Sequence, residues 1–201
     1  MVSDRTLIGV TGVRGVGKTS AIKSICEQKP EMTAVYMSER LKEFSLKTTQ
    51  APFFNHDIST RDQIRSQFGA ELTESLRVLS GLILIDFHLT DVREGAGKII
   101  QPDCILREIN DYLFLDASDE TIIKRRKLGE LRGRNLDVRE LAVERNAELA
   151  ALQLVTGLYA SQLLLIQAEG AIFEVQTEIF NALARFGLIE ERCQFAMERL
   201  G

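Results

Sequence analysis

Apolar residues along this chain fall in short, nearly unbroken runs. Five of them, at residues 7–11, 33–37, 82–86, 112–116 and 171–175, read as strands. Runs this apolar, without polar alternation, suit strands buried on both faces. Mixed stretches between them, at Lys18–Gln28, 70–80, 118–127 and a long one at 138–167, read as helices. Strands alternating with helices predict an α/β fold, a parallel sheet covered on both faces. Two regions break the alternation. Residues 42–68 are polar and hold Pro52, and residues 125–137 are dense in arginine. Both are expected to be excursions from one core, so residues 1–201 read as a single domain. The tail after Gly187 reads as a short closing helix.

Composition narrows the setting. The chain has 201 residues, 45% hydrophobic, with a formal net charge of −4. That balance carries no basic field to recruit nucleic acid or a membrane surface. Cys26, Cys104 and Cys193 are an odd, scattered set without CxxC spacing, so neither a zinc site nor a disulfide framework is expected. A cytoplasmic location fits that usage. No apolar run approaches the roughly 18 residues of a membrane span. The sequence leaves oligomeric state open.

Chemistry concentrates first in "LIGVTGVRGVGKTS", residues 7–20. Its segment from Gly12 to Thr19 matches the phosphate-binding pattern G-x-x-x-x-G-K-[ST]. Each part has a physical reason. Glycines allow positive φ, so backbone N–H groups converge on phosphate oxygens. The cradle is expected to comprise Gly12, Gly15, Val16, Gly17, Lys18, Thr19 and Ser20. A helix starting near Lys18 aims its positive end at the same anion. Lys18 reaches the β- and γ-phosphates, and Thr19 offers its hydroxyl to Mg²⁺. ATP and Mg²⁺ are the expected cofactors.

A second strand, "LILIDFH", ends in Asp86. Ligands of open α/β sheets sit at the carboxyl ends of strands, where an aspartate can hold the hydration shell of Mg²⁺. His88 either meets substrate or satisfies nearby backbone groups. His56, in the polar excursion, reads as a solvated side chain.

The arginine-rich segment holds Arg125, Arg126, Arg132, Arg134, Arg139 and Arg145. Phosphoryl transfer needs positive charge around the migrating group, and arginines supply it on closure. Arg139 fits a solvated helix face with neighbouring glutamates. Such a face does not account for Arg132 and Arg134, which fall between two helices.

These motifs together resemble the short-lid nucleoside monophosphate kinases, specifically the archaeal-type adenylate kinases. "VTGVRGVGKTS" stands for that family's loop, "STRDQIR" for its monophosphate-binding helix, "LIDFH" for its third-strand aspartate and histidine, and "RRKLGELRGRNLD" for its lid. The resemblance implies a three-layer P-loop kinase fold with a five-stranded parallel sheet and a short lid at about 125–137. It implies an acceptor-binding excursion at about 38–68. It gives Arg126, Arg132 and Arg134 catalytic roles in the lid, and Thr19 and Asp86 the metal. Arg61, Arg65, His88, Arg93 and Arg145 would meet substrate. Three departures stand out. Arg14 occupies a position where a proline is usual. Ser38 replaces a glycine-threonine start, and Arg93 lies where a G-L-P-like segment is common.

The expected activity is transfer of the γ-phosphate of ATP·Mg to a nucleoside monophosphate, AMP foremost. A kinase of another small acceptor is the alternative within enzymes, and a nucleotide-regulated binding protein with weak ATPase activity the alternative outside them. The chain lacks the N-K-x-D motif of GTPases, and it is short for a ring ATPase.

Overall fold

The computed structural model describes residues 5–93, 96–128 and 137–189. Its main sheet has five parallel strands: β1 (Arg5–Thr11), β2 (Thr33–Tyr36), β3 (Gly81–Asp86), and two that follow later, at Asp111–Asp116 and Leu163–Gln167. Between β3 and the fourth of these lies a separate antiparallel hairpin, β4 (Thr90–Arg93) with β5 (Ala96–Ile99). The last two main-sheet strands are therefore β6 and β7, and the sheet order is β2-β3-β1-β6-β7.

The helices are α1 (Lys18–Gln28), α2 (Met37–Thr49), α3 (Ile58–Arg77), α4 (Asp103–Leu106), α5 (Asp119–Leu128), α6 (Val138–Tyr159) and α7 (Ile172–Arg185). They form the outer layers of a three-layer α/β architecture. Period-two alternation along the central strands divides the core in two. Leu7, Ile83, Ile85, Tyr112 and Phe114 face one side, which α2, α3, α4 and α6 cover. Ile8, Val10, Leu84, Leu113 and Leu115 face the other, beneath α1, α5 and α7. Gly9 leaves room for the Tyr112 ring, since a Cβ there would lie 2.7 Å from it.

Register sets the site. β1 and β3 run parallel with Val10 opposite Asp86. The first strand's exit into the glycine loop and the third strand's terminal carboxylate therefore share one edge of the sheet.

Several expected elements are corrected here. The final strand is not 171–175 but Leu163–Gln167, within the span expected to be one long helix. α6 stops at Tyr159 because Ala160 turns left-handed, at φ 54°. The apolar run that follows then pairs with the open edge of β6, Tyr112 opposite Leu163 through Asp116 opposite Gln167. Sheet pairing at a free edge outweighs the helical pattern. Residues 171–175 instead begin α7, where Glu174 accepts from the Ala171 N–H at 2.6 Å and Val175, Ile179 and Leu183 recur on the buried face.

The polar excursion is largely helical, as α2 and the first half of α3. Asp57 starts α3 by accepting from the Thr60 N–H at 2.8 Å. The segment after His88, where Arg93 stands in place of a G-L-P-like segment, forms the β4–β5 hairpin. Residues 129–136, the core of the expected lid, and most of the expected closing helix lie outside the described residues. Among the described residues no helix is long and apolar enough to cross a membrane.

Candidate active site

The glycine loop joins β1 to α1. Gly12, Gly15 and Gly17 all have positive φ, at 137°, 89° and 106°. Gly12 also lies against the backbone of β6, where a Cβ would come within 2.2 Å of the Leu115 carbonyl oxygen. Val13 and Val16 are buried in the core beneath and anchor the loop. No acidic residue occupies the first turn of α1, so nothing competes with an anion for its N–H groups.

Lys18 is buried, and its Nζ donates to the carbonyls of Gly12 at 2.8 Å and Val13 at 3.3 Å. Burial pushes its ammonium pKa down, while Asp86 and Glu148 act in the opposite sense. The loop thus holds a desolvated cation against its own carbonyls, where phosphate oxygens are better partners.

Thr19 Oγ1 donates to Asp86 Oδ2 across the gap between α1 and β3. Burial raises the Asp86 pKa, against the pull of Lys18 and the Thr19 hydroxyl. A hydroxyl and a carboxylate are hard oxygen donors. Among the described residues no group of three or more His, Cys, Asp or Glu side chains could form a protein cage for a metal. Hard oxygen donors of this kind suit Mg²⁺.

Glu148, on α6, is buried beside them. It accepts from the Thr11 hydroxyl, the Leu89 N–H at 2.7 Å, and both the N–H and hydroxyl of Thr90, at 2.8 and 2.6 Å. One carboxylate thereby ties the end of β1 to the segment leaving β3.

The arginines divide by location. Arg126 is 2% exposed; its Nε donates to the Arg14 carbonyl at 2.8 Å and its Nη2 to Glu144 at 2.6 Å. It supports the loop from beneath. Arg125 Nη1 donates to the carbonyls of Val16 at 2.6 Å and Ala168 at 2.8 Å, and Nη2 to Gly170 at 3.1 Å. That residue joins the loop to the β7–α7 turn. Arg145 braces the end of β6 through Asp116 at 2.8 Å, the Ala117 carbonyl at 3.0 Å and Asp119 at 2.7 Å. It does not line the cavity described next. Arg132 and Arg134, and the side chain of Arg93, lie outside the described residues.

A cavity of about 1020 Å³ runs over the loop. At one end it is walled by Arg125, Gly170, Ile172 and Val175. In the middle lie the loop from Arg14 to Ser20 and Asp86. The far wall is built by the start of α2, Phe53, Phe54, Phe68, Arg61, Arg65, His88 and Asp91. Arg61 and Arg65 project from one face of α3. Arg61 Nε donates to the His56 carbonyl at 2.9 Å. Arg65 donates to Asp62 at 3.0 Å, with its guanidinium carbon 5.0 Å from the centre of the Phe53 ring.

Sequence reasoning did not single out Glu148, Gly170, Ile172 or the separate role of Arg125. A glutamate among the apolar positions of α6 is the one local signal for Glu148. Arg125 and Arg126 are chain neighbours whose division of labour depends on which way each faces.

The profile of the family described as an AAA domain matches residues 11–142. No curated protein sequence matches this chain. Among solved structures, a thymidylate kinase from Candida albicans is similar at a TM-score of 0.63 and 17% identity, over 93% of this chain and 94% of that one. A shikimate kinase from Bacteroides thetaiotaomicron aligns at 0.57 and 14%, over 91% and 99%. A gluconokinase from Sinorhizobium meliloti 1021 aligns at 0.54 and 17%, over 92% and 94%. At these identities the likeness is one of fold, the P-loop kinase fold.

Proposed function

Because the chain belongs to the AAA-domain family and has a P-loop kinase fold, we propose that it is an ATP-dependent phosphotransferase acting on a nucleoside monophosphate, with AMP the first candidate. The observation that carries this reading is the single cavity joining the phosphate loop to the Arg61–Arg65 face of α3. A hydrolase needs only the first of these. A transferase needs a second site from which an acceptor oxygen reaches the γ-phosphorus.

The residues divide the work accordingly. Backbone N–H groups of Gly15 to Ser20 and the start of α1 hold the triphosphate. Lys18 exchanges the Gly12 and Val13 carbonyls for β- and γ-oxygens. Thr19 and Asp86 would hold Mg²⁺, which when bound would neutralise phosphate charge. Arg61 and Arg65 present two guanidiniums to a dianionic phosphate, a match for arginine's forked donors. The aromatic residues beside them suit a planar base. Arg132 and Arg134, to which the resemblance gives catalytic roles, lie outside the described residues.

A second reading, a nucleotide-regulated protein with weak ATPase activity, draws on membership of the AAA-domain family and on Ser38 at the start of α2, where the resembled kinases carry glycine-threonine. One experiment separates the two. Purified protein is incubated with Mg·ATP and each of a panel of nucleoside monophosphates, and in parallel with Mg·ADP alone. The transferase reading expects a diphosphate product, and ATP plus AMP from ADP, all lost in Lys18→Ala. Release of inorganic phosphate with no phosphorylated acceptor would establish the hydrolase.

A further inference from the structure

Arg14 lies inside the glycine loop, between Val13 and Gly15, yet nothing above assigns it a role. Its neighbours Val13 and Val16 are buried in the core, whereas Arg14 lines the cavity, its side chain 28% exposed. Its Nη2 stands 3.9 Å from Asp91 Oδ1 on β4, the hairpin strand that follows His88. That separation is too long for a hydrogen bond. A pair that long, between side chains 28% and 18% exposed, adds little to stability. The main chain of Arg14 is held far more firmly, since its carbonyl accepts from Arg126 Nε at 2.8 Å and Arg126 is itself anchored on Glu144. The backbone is fixed while the guanidinium rests loosely on a carboxylate across the cavity.

Electrostatics give that arrangement a direction. Arg14 is close enough to Lys18 to oppose its charge, though burial is the larger cause of the lowered Lys18 pKa. Two cations in one small loop repel each other at rest. They become favourable when a triphosphate lies between them.

We propose that Arg14 is a catalytic residue of this site, whose guanidinium leaves Asp91 to bind the phosphoryl group in flight between ATP and the acceptor. The assignment rests on the phosphotransfer reading above. In the step it serves, an acceptor oxygen forms a bond to the γ-phosphorus while the bond from that phosphorus to the β–γ bridging oxygen breaks. ADP departs with the electron pair. Donor and acceptor are both anionic here, so a cation between them lowers the cost of their approach. Arg14 has the forked donors to span two of the transferring group's oxygens. Its resting partner stands on the acceptor wall, so the exchange would couple acceptor-side movement to charge on the donor.

The test compares full-length wild type with Arg14→Gln and Arg14→Lys by calorimetric titration, using Mg·ADP and then Mg·ADP with aluminium fluoride, a mimic of the transferring phosphoryl group. Arg14→Gln is expected to bind Mg·ADP within about threefold of wild type. It should bind the fluoride complex about 100-fold more weakly, with kcat falling by a similar factor. Arg14→Lys should recover part of the difference, and melting temperatures should agree. Equal changes for both ligands, or none, would overturn the assignment. If the wild type binds neither ligand, the nucleotide reading falls and this inference with it. If it binds both but phosphorylates no acceptor, the acceptor reading falls, and the fluoride comparison still decides whether Arg14 meets the phosphoryl position.

Discussion

Glu148 Oε2 accepts from both the backbone N–H and the hydroxyl of Thr90, at 2.8 and 2.6 Å. Its other oxygen accepts from the Leu89 N–H at 2.7 Å and from Thr11. The side chain is fully committed as an acceptor, and three of its four donors come from the segment leaving β3. Glu148→Gln would turn an NH₂ group toward at least one of these donor pairs. An unmet buried polar group of this kind costs about 3 kcal/mol, or roughly 6–12 °C in Tm for a domain of this size. Thermal unfolding followed by circular dichroism checks it, and a drop under about 2 °C would show the network to be dispensable.

Asp86 shows a conflict between stability and function. Burial is the main cause of its raised pKa, so the folded protein disfavours the charge that Mg²⁺ would need. The sign follows from linkage. The unfolded carboxylate ionises near pH 4 while the folded one still holds its proton, so stability declines as pH rises from there to the folded value, then levels off. Asp86→Asn removes the charge. It should raise the Tm of the nucleotide-free protein at pH 7 and abolish Mg²⁺-dependent turnover. The Tm gain should shrink toward zero as pH falls below about 4. A variant no more stable than wild type at pH 7 would contradict the argument.

Two glycines of the loop should respond differently to the same substitution. At Gly12 an added Cβ meets the backbone oxygen of Leu115 at 2.2 Å, so Gly12→Ala forces β1 and β6 apart and should lower Tm by 10 °C or more, on the order of 4 kcal/mol. At Gly17 the nearest atom is Arg125 Nη1 at 3.6 Å. Space exists, and only the φ of 106° is strained, at about 1–2 kcal/mol. Gly17→Ala should fold and lose ATP affinity by tenfold or more, because the added methyl and the strain disturb the turn that presents the N–H groups. Calorimetry with Mg·ATP and melting curves for both variants would separate these effects.

Arg65 tests the acceptor side. Arg65→Ala removes one of the two guanidiniums on α3 that face the cavity, together with the ion pair to Asp62. The Arg65 side chain is 11% exposed against 38% for Asp62, so losing this pair and the Phe53 contact should cost about 1 kcal/mol, roughly 2–4 °C in Tm. KM for the monophosphate should rise at least tenfold, KM for ATP should stay within about twofold, and kcat should fall as the acceptor loses in-line alignment. Steady-state kinetics with each substrate varied in turn measures all three. A shift in the ATP constant alone would put α3 on the donor side.

The phosphate loop was legible in the sequence because its function is local. Eight consecutive residues carry the glycine positions, the lysine and the hydroxyl, and the apolar run before them marks the strand they leave. The same holds for Asp86 at the end of the next central strand. Arg61 and Arg65 were readable as a pair because four residues bring side chains to one face of a helix. The fold class followed in the same way, from apolar runs alternating with helices.

What lay beyond the sequence has one physical character, competition between distant partners. Residues 163–167 carry a pattern that serves helix or strand, and the open edge of β6 decided for strand. Arg125 and Arg126 are adjacent in the chain, yet one reaches the β7–α7 turn and the other Glu144, because a helix turns successive side chains about 100° apart. Glu148 reads as one more charged residue on a helix until Thr11, Leu89 and Thr90 converge on it from two strands. Arg14 reads as a departure from a motif until the hairpin sets Asp91 across from it. The phosphate loop and the carboxylate closing β3 are readable from the chain because each rests on residue spacing within one element, and the layered architecture because apolar runs alternate with helices. Tertiary packing settled that the carboxylate stands beside the loop, and which carboxylates and guanidiniums meet, because those energies arise between groups that the chain separates by tens of residues and the packed core brings within a few ångströms.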